Sequence, residues 1–196
     1  NNSIQRAYIG IYFWADAVTG NGNGTIITQN DLNISGANSI RLVGIYVQGA
    51  DGVTVSNNNI GNMNNTTDAS NYTGIWLATG TVNTSVIGNI IDGMASTTAA
   101  GRGIAVSSGN NAANILIEGN TINNITTSYS SAPFGIYIFS TTGGVNISKN
   151  KVSTLLNSNT SGYGARGINV STGLANSNIN ISVIQEIFHK AFYYRF

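Results

Sequence analysis

One spacing recurs down this chain and limits its fold more than any other feature. An apolar residue, a spacer, a second apolar residue, two spacers, an asparagine, a spacer and a third apolar residue follow in that order. The instances are Thr25/Ile27/Asn30/Leu32, Val53/Val55/Asn58/Ile60, Thr84/Val86/Asn89/Ile91, Ile115/Ile117/Asn120/Ile122 and Val145/Ile147/Asn150/Val152, with Thr standing twice in the first slot. A Gly-Ile pair precedes each copy, at Gly10, Gly44, Gly74, Gly103 and Gly135, and a sixth pair stands at Gly167, so the steps are 34, 30, 29, 32 and 32 residues. Met63, Met94, Ile125 and Leu155 close four of the units, and Asn2, Ile4 and Ala7 fit the tail of a preceding one. The chain therefore reads as a repeat that begins in mid-unit, within a longer product.

The alternation inside each unit has period two, in short pieces, whereas helical repeats of similar length need a 3.6-residue period. Each unit reads as three short strands joined by turns. A single unit cannot bury its apolar face alone, but stacked units can, which is the logic of a solenoid. Composition agrees. Of the 196 residues only 8% are charged, 41% are hydrophobic and 24 are glycine. The polar remainder is rich in Asn, Ser and Thr, residues that suit turns and strand faces better than helix interiors. The asparagine slot is expected to turn the chain, because Asn tolerates left-handed backbone, and to stack as a ladder of side-chain amides from coil to coil.

These repeats, GIxV followed by VxVxxNxI with an asparagine ladder over residues 2–182, resemble the right-handed parallel β-helix of the pectin-lyase-like superfamily. They look like pieces of long secreted bacterial surface proteins. The expected fold is all-β: one right-handed parallel β-helix of about six coils over 1–182. The remainder, 183–196, has no Gly, Asn, Ser or Thr, and Ile184, Ile187, Phe188, Ala191 and Phe192 fall at helical spacing. It reads as a short amphipathic helix capping the last coil, or as a non-native tail.

Several function classes fall away on composition. A formal net charge of +1 offers no electrostatic footprint for nucleic acid. There is no cysteine for a disulfide or a thiolate metal site, and no apolar run long enough to insert in a membrane as a helix. The outward positions of the second strand, Ile26, Thr54, Ser85, Leu116 and Asn146, do not make the flat Thr ladder that ice binding needs. Sequons such as those at Asn33, Asn71 and Asn124 are expected by chance at this composition.

Two sets of residues remain as candidates. On the Gly-Ile strand the outward position carries Tyr12, Tyr46, Trp76, Ala105, Tyr137 and Asn169 in successive coils. Tyr12, Tyr46, Trp76 and Tyr137 form an aromatic strip whose rings suit the apolar faces of sugars, so a polysaccharide or glycan is the expected partner. The alternative is that these rings are ordinary strand formers covered by loops. Asp16 and Asp51 lie at nearly the same place after the Gly-Ile pair, where they are the pair placed to hold a weak calcium ion; the simpler reading is two solvated turn aspartates. No other cofactor is expected.

The resemblance also implies polysaccharide lyase or glycoside hydrolase activity. Hydrolysis usually needs two carboxylates at a defined separation, and the seven acidic residues are scattered in phase. Arg102 and Arg166 share the position before Gly but have no carboxylate in register. His189 is the only histidine, so a triad lacks parts. The reading leans to a non-catalytic, secreted or cell-surface module for adhesion, structure or glycan binding.

Overall fold

A computed structural model describes residues 2–65, 68–161 and 164–182. The first coil contains β1 (Ile9–Trp14), β2 (Ile26–Thr28) and β3 (Asp31–Leu32), and the second β4 (Val43–Gln48), β5 (Thr54–Ser56) and β6 (Asn59–Asn65). The third contains β7 (Thr73–Leu77), β8 (Ser85–Ile87) and β9 (Ile90–Ser96), and the fourth β10 (Arg102–Val106), β11 (Ile115–Glu118) and β12 (Thr121–Thr127). The fifth contains β13 (Phe134–Phe139), β14 (Val145–Ser148), β15 (Lys151–Val152) and β16 (Leu155–Asn157). Two strands of a further coil follow, β17 (Arg166–Ser171) and β18 (Ile179–Ser182). Strands of equal rank stack in parallel into three sheets, ordered β1-β4-β7-β10-β13-β17, β2-β5-β8-β11-β14-β18 and β3-β6-β9-β12-β15 with β16 also on β12. This is an all-β parallel solenoid of about five turns. The expectation of six counted the last Gly-Ile pair as a full coil, but among the described residues β17 and β18 have no third strand. The expected cap, 183–196, lies outside the described residues.

The core is a set of like-on-like rows. Ile11, Ile45, Ile75, Ile104, Ile136 and Ile168 are register partners along the first sheet. Val55, Val86, Ile117, Ile147 and Ile181 do the same along the second. In the middle coils these side chains are fully buried, as are Ile60, Ile91 and Ile122 and the Met63, Met94 and Ile125 row. Each such burial contributes about 1.5–3 kcal/mol.

Stacking also explains the glycine of each Gly-Ile pair. A Cβ on Gly44 would lie 2.5 Å from both the Gly74 carbonyl oxygen and Ile60 Cγ2, and one on Gly103 would lie 2.5 Å from Ile122 Cγ2. Gly and Ile therefore both face the core; of the residues before them, Arg102 and Phe134 reach the outward Tyr137, whereas Val43 and Thr73 are covered.

The ladder forms as expected, with one correction to the turn beside it. Asn30 donates its backbone N–H (3.0 Å) and its Nδ2 (2.9 Å) to Oδ1 of Asn58. Asn58 donates in the same way to Asn89, Asn89 to Asn120, and Asn120 to Asn150. Asn2 Nδ2 starts the series on Asn30. The left-handed backbone falls one residue earlier, at Gln29, Asn57, Gly88, Gly119 and Lys149, with φ of 53° to 65°. The ladder asparagines are thus selected for their carboxamides rather than for their φ. The turn residue is free to vary because its side chain points away from the ladder, and the sequence at that site does vary.

The long corners before each Gly-Ile strand are built rather than loose. Ser96 Oγ accepts from the backbone N–H groups of Thr98 and Ala99, Thr98 Oγ1 donates to the Asp68 carbonyl, and Thr127 Oγ1 donates to the Ala99 carbonyl. Tyr72, which the repeat pattern leaves in a loop, is fully buried there and donates its hydroxyl to the Thr126 carbonyl at 2.8 Å. Burial raises the pKa of that hydroxyl.

Candidate functional site

The outward row of the first sheet lies in the register read from the sequence: Tyr12, Tyr46, Trp76, Ala105, Tyr137 and Asn169 are successive Cα partners. Parallel pairing fixes this, since strands about 4.8 Å apart carry equivalent side chains one above the other. The row is not uniform, however. Ala105 is fully buried and divides the aromatic residues into two groups.

The first group is an open face. The Tyr12 and Tyr46 rings stack with centroids 5.1 Å apart and planes 5° apart, and Trp76 meets Tyr46 edge-on at 5.3 Å. Tyr46 donates its hydroxyl to Gln48 Oε1 at 2.6 Å, and Trp76 donates its indole N–H to Ser107 Oγ at 2.9 Å, so the polar ends of both are held. Burial, and next the neighbouring Tyr12, raise the pKa of Tyr46. Tyr12 is 59% exposed, and so nearly is Trp14, at 57%, two residues along the same strand. Trp14 was absent from the sequence-derived strip, which considered one position per strand; its signal was the period-two spacing from Tyr12.

The second group is closed on itself and cationic. Phe134 stacks on Tyr137 at 4.4 Å, and Tyr137 on Phe139 at 4.6 Å. The Arg102 guanidinium lies 5.4 Å from the Tyr137 centroid and 5.1 Å from that of Phe139. Arg166 lies 5.7 Å from Phe134 and donates from Nη1 to Asn169 Oδ1 at 3.3 Å. Arg102, Phe134 and Arg166 are register partners at the position before Gly.

The two candidate aspartates sit on the corner after the first sheet. Asp51 Oδ1 accepts from Asn83 Nδ2 at 2.6 Å, and Oδ2 accepts from the Gly20 backbone N–H at 2.8 Å. Asn83 in turn accepts from Asn114 Nδ2, so Asp51 terminates a second, exposed amide ladder. These bonds, that from Asn83 first, hold the Asp51 carboxyl below its ordinary pKa. Asp16 lies beside this corner, where its backbone carbonyl accepts from Asn21 Nδ2. Among the described residues no three His, Asp or Glu side chains gather into one group.

Comparison with known protein families, with curated proteins and with solved structures finds no match to this chain.

Proposed function

We propose that this chain is a non-catalytic module that binds glycan on the aromatic face of a β-solenoid, as part of a longer secreted or cell-surface protein. The observation that carries the reading is the open group at Tyr12, Trp14 and Tyr46. Two large rings more than half exposed, on a rigid sheet and beside a third ring that is stacked in place, offer flat apolar surface at low ordering cost. Sugar C–H faces pair with such surface, and exposed apolar patches of this kind mark binding sites. The polar ends held by Gln48 and Ser107 support the same reading, because rings already fixed lose little entropy on binding.

An oligosaccharide array followed by titration of Trp fluorescence tests this. At least one oligosaccharide is expected to bind, with affinity falling tenfold or more in the Tyr12→Ala/Trp14→Ala double variant. Absence of any bound oligosaccharide, or binding unchanged in that variant, overturns the proposal.

A further inference from the structure

We propose that Asn23 is a site of spontaneous deamidation, and that the change loosens the tie between the first coil and the second. The chain has two Asn-Gly pairs, Asn21-Gly22 and Asn23-Gly24, adjacent in the corner between β1 and β2. Glycine has no Cβ to shield its nitrogen, so in such a pair that nitrogen can reach the asparagine Cγ. The sequence treats the two pairs alike, and the structure does not. The Asn21 carboxamide donates to the Asp16 carbonyl at 2.9 Å. The Asn21 backbone N–H donates to the Val18 carbonyl, and its carbonyl accepts from the Asp51 N–H at 2.6 Å. Gly22 packs on Phe13, whose Cζ would lie 2.9 Å from a Cβ built there. Ring closure at Asn21 works against all of these contacts. Asn23 is exposed, and neither its carboxamide nor the Gly24 N–H has a hydrogen-bond partner among the described residues. A Cβ on Gly24 would meet nothing within 4 Å, so there is room for the ring.

The Gly24 nitrogen attacks Cγ of Asn23. A new N–Cγ bond forms, the Cγ–Nδ2 bond breaks, and the proton of the attacking nitrogen leaves with the amide as ammonia. Water then opens the resulting succinimide. Cleavage at Cγ gives aspartate, and cleavage at the backbone carbonyl gives isoaspartate, whose main chain carries one more methylene. Either product bears a carboxylate in place of a neutral amide. Asn23 lies against the second coil, its Oδ1 2.9 Å from where a Cβ on Gly52 would stand. Residues 15–25 and 49–53 contain Asp16 and Asp51 and no Lys or Arg, so the corner offers the new charge like charges and no cation. Asp51 is also the anchor of this corner. Its Oδ2 accepts from the Gly20 N–H at 2.8 Å, and its own N–H donates to the Asn21 carbonyl. Repulsion and the longer main chain both act on those two bonds.

The test stores the full chain in mildly alkaline buffer at body temperature, beside a urea-unfolded sample. The peptide that holds both pairs is followed by mass spectrometry with electron-transfer fragmentation. Deamidation shows as a gain of one mass unit, and the fragments assign it to Asn21 or Asn23 and separate isoaspartate from aspartate. In the folded chain Asn23 is expected to convert at least tenfold faster than Asn21, and in urea the two are expected to convert at similar rates. Equal rates in the folded chain, an Asn23 that stays intact while the unfolded sample converts, or the same bias in urea overturns the assignment. Amide hydrogen exchange of the aged chain reads the consequence. The Gly20 and Asp51 N–H groups are expected to exchange at least fivefold faster than in fresh chain, with the Asn58 N–H unchanged. Unchanged exchange at Gly20 and Asp51 overturns the loosening.

Discussion

Replacing Asn89 by Ala is the sharpest probe of how this solenoid is held. The Asn89 carboxamide accepts two bonds from Asn58, through its backbone N–H and its Nδ2, each at 2.9 Å. It donates to Asn120 Oδ1 at 2.9 Å and to the Val55 carbonyl at 3.0 Å. After truncation Asn58 Nδ2 keeps the Ile27 carbonyl, and Asn120 Oδ1 keeps the backbone N–H of residue 89. The Asn58 backbone N–H loses its acceptor and is buried. One orphaned buried donor costs about 1–3 kcal/mol, and each further lost bond about 0.5–1.5 kcal/mol net. The expected loss is thus at least about 2.5 kcal/mol. Asn146→Ala is the control: its amide is exposed and accepts only from Asn180, so a change within about 0.5 kcal/mol is expected. Urea unfolding followed by far-UV circular dichroism measures both, with an unchanged m-value showing that the coils still unfold together. An Asn89→Ala cost indistinguishable from that of Asn146→Ala would refute the claim that the buried ladder bears stability.

Gly74→Ala places a Cβ 2.7 Å from the Gly103 carbonyl oxygen and 2.8 Å from Ile91 Cγ2 and should cost about 1–3 kcal/mol by overpacking, whereas Gly167→Ala, with nothing within 4 Å, should leave the melting temperature unchanged. Tyr72→Phe removes only the bond to Thr126 and should cost about 0.5–1.5 kcal/mol in the same unfolding assay, while Tyr72→Ala also opens a core cavity and should cost about 3–5 kcal/mol. The Asp51 carboxyl titrates below its unfolded value, so its contribution to stability is present above the unfolded pKa and is lost as pH falls through the folded one. Asp51→Asn should therefore flatten the acid limb of a stability-versus-pH curve, and an unaltered limb would contradict the assignment.

The scaffold was legible because stacking enforces a period. Ile45, Val55 and Ile60 each have to meet the same position one coil away, so spacing alone placed all three sheets and the outward aromatic row. What stayed hidden was set by contacts the period does not encode. The left-handed residue before each ladder asparagine is Gln, Asn, Gly, Gly or Lys, a list with no common chemistry in the sequence. Tyr72 looked like a loop residue because its burial depends on how the long corners of neighbouring coils fold over it. Arg102 and Arg166 were visible as a matched pair, but their partners were not. That Arg102 and Phe134 share a side with Tyr137 follows from the paired inward step of Gly and Ile, which the close approach of Gly103 to Ile122 and of Gly135 to Val152 reveals. Trp14 occupies a second outward slot of β1, which the repeat pattern of one outward aromatic per strand does not include.

The asparagine ladder has a direction. From Asn2 through Asn120 each carboxamide gives one hydrogen to the asparagine of the next coil, and from Asn30 through Asn150 each receives from that of the preceding one, without a reversal along the ladder, while the second hydrogen of Asn58, Asn89 and Asn120 returns to a backbone carbonyl of the preceding coil. Aligned amides polarise one another, so the buried line is a vector, with a donor end and an acceptor end. Two such molecules, or two stretches of one repeat, can extend that vector only head to tail; head-to-head contact would set donors against donors. The solenoid is in this sense polar like a filament subunit, and its two ends are chemically distinct before any side chain on its surface is considered.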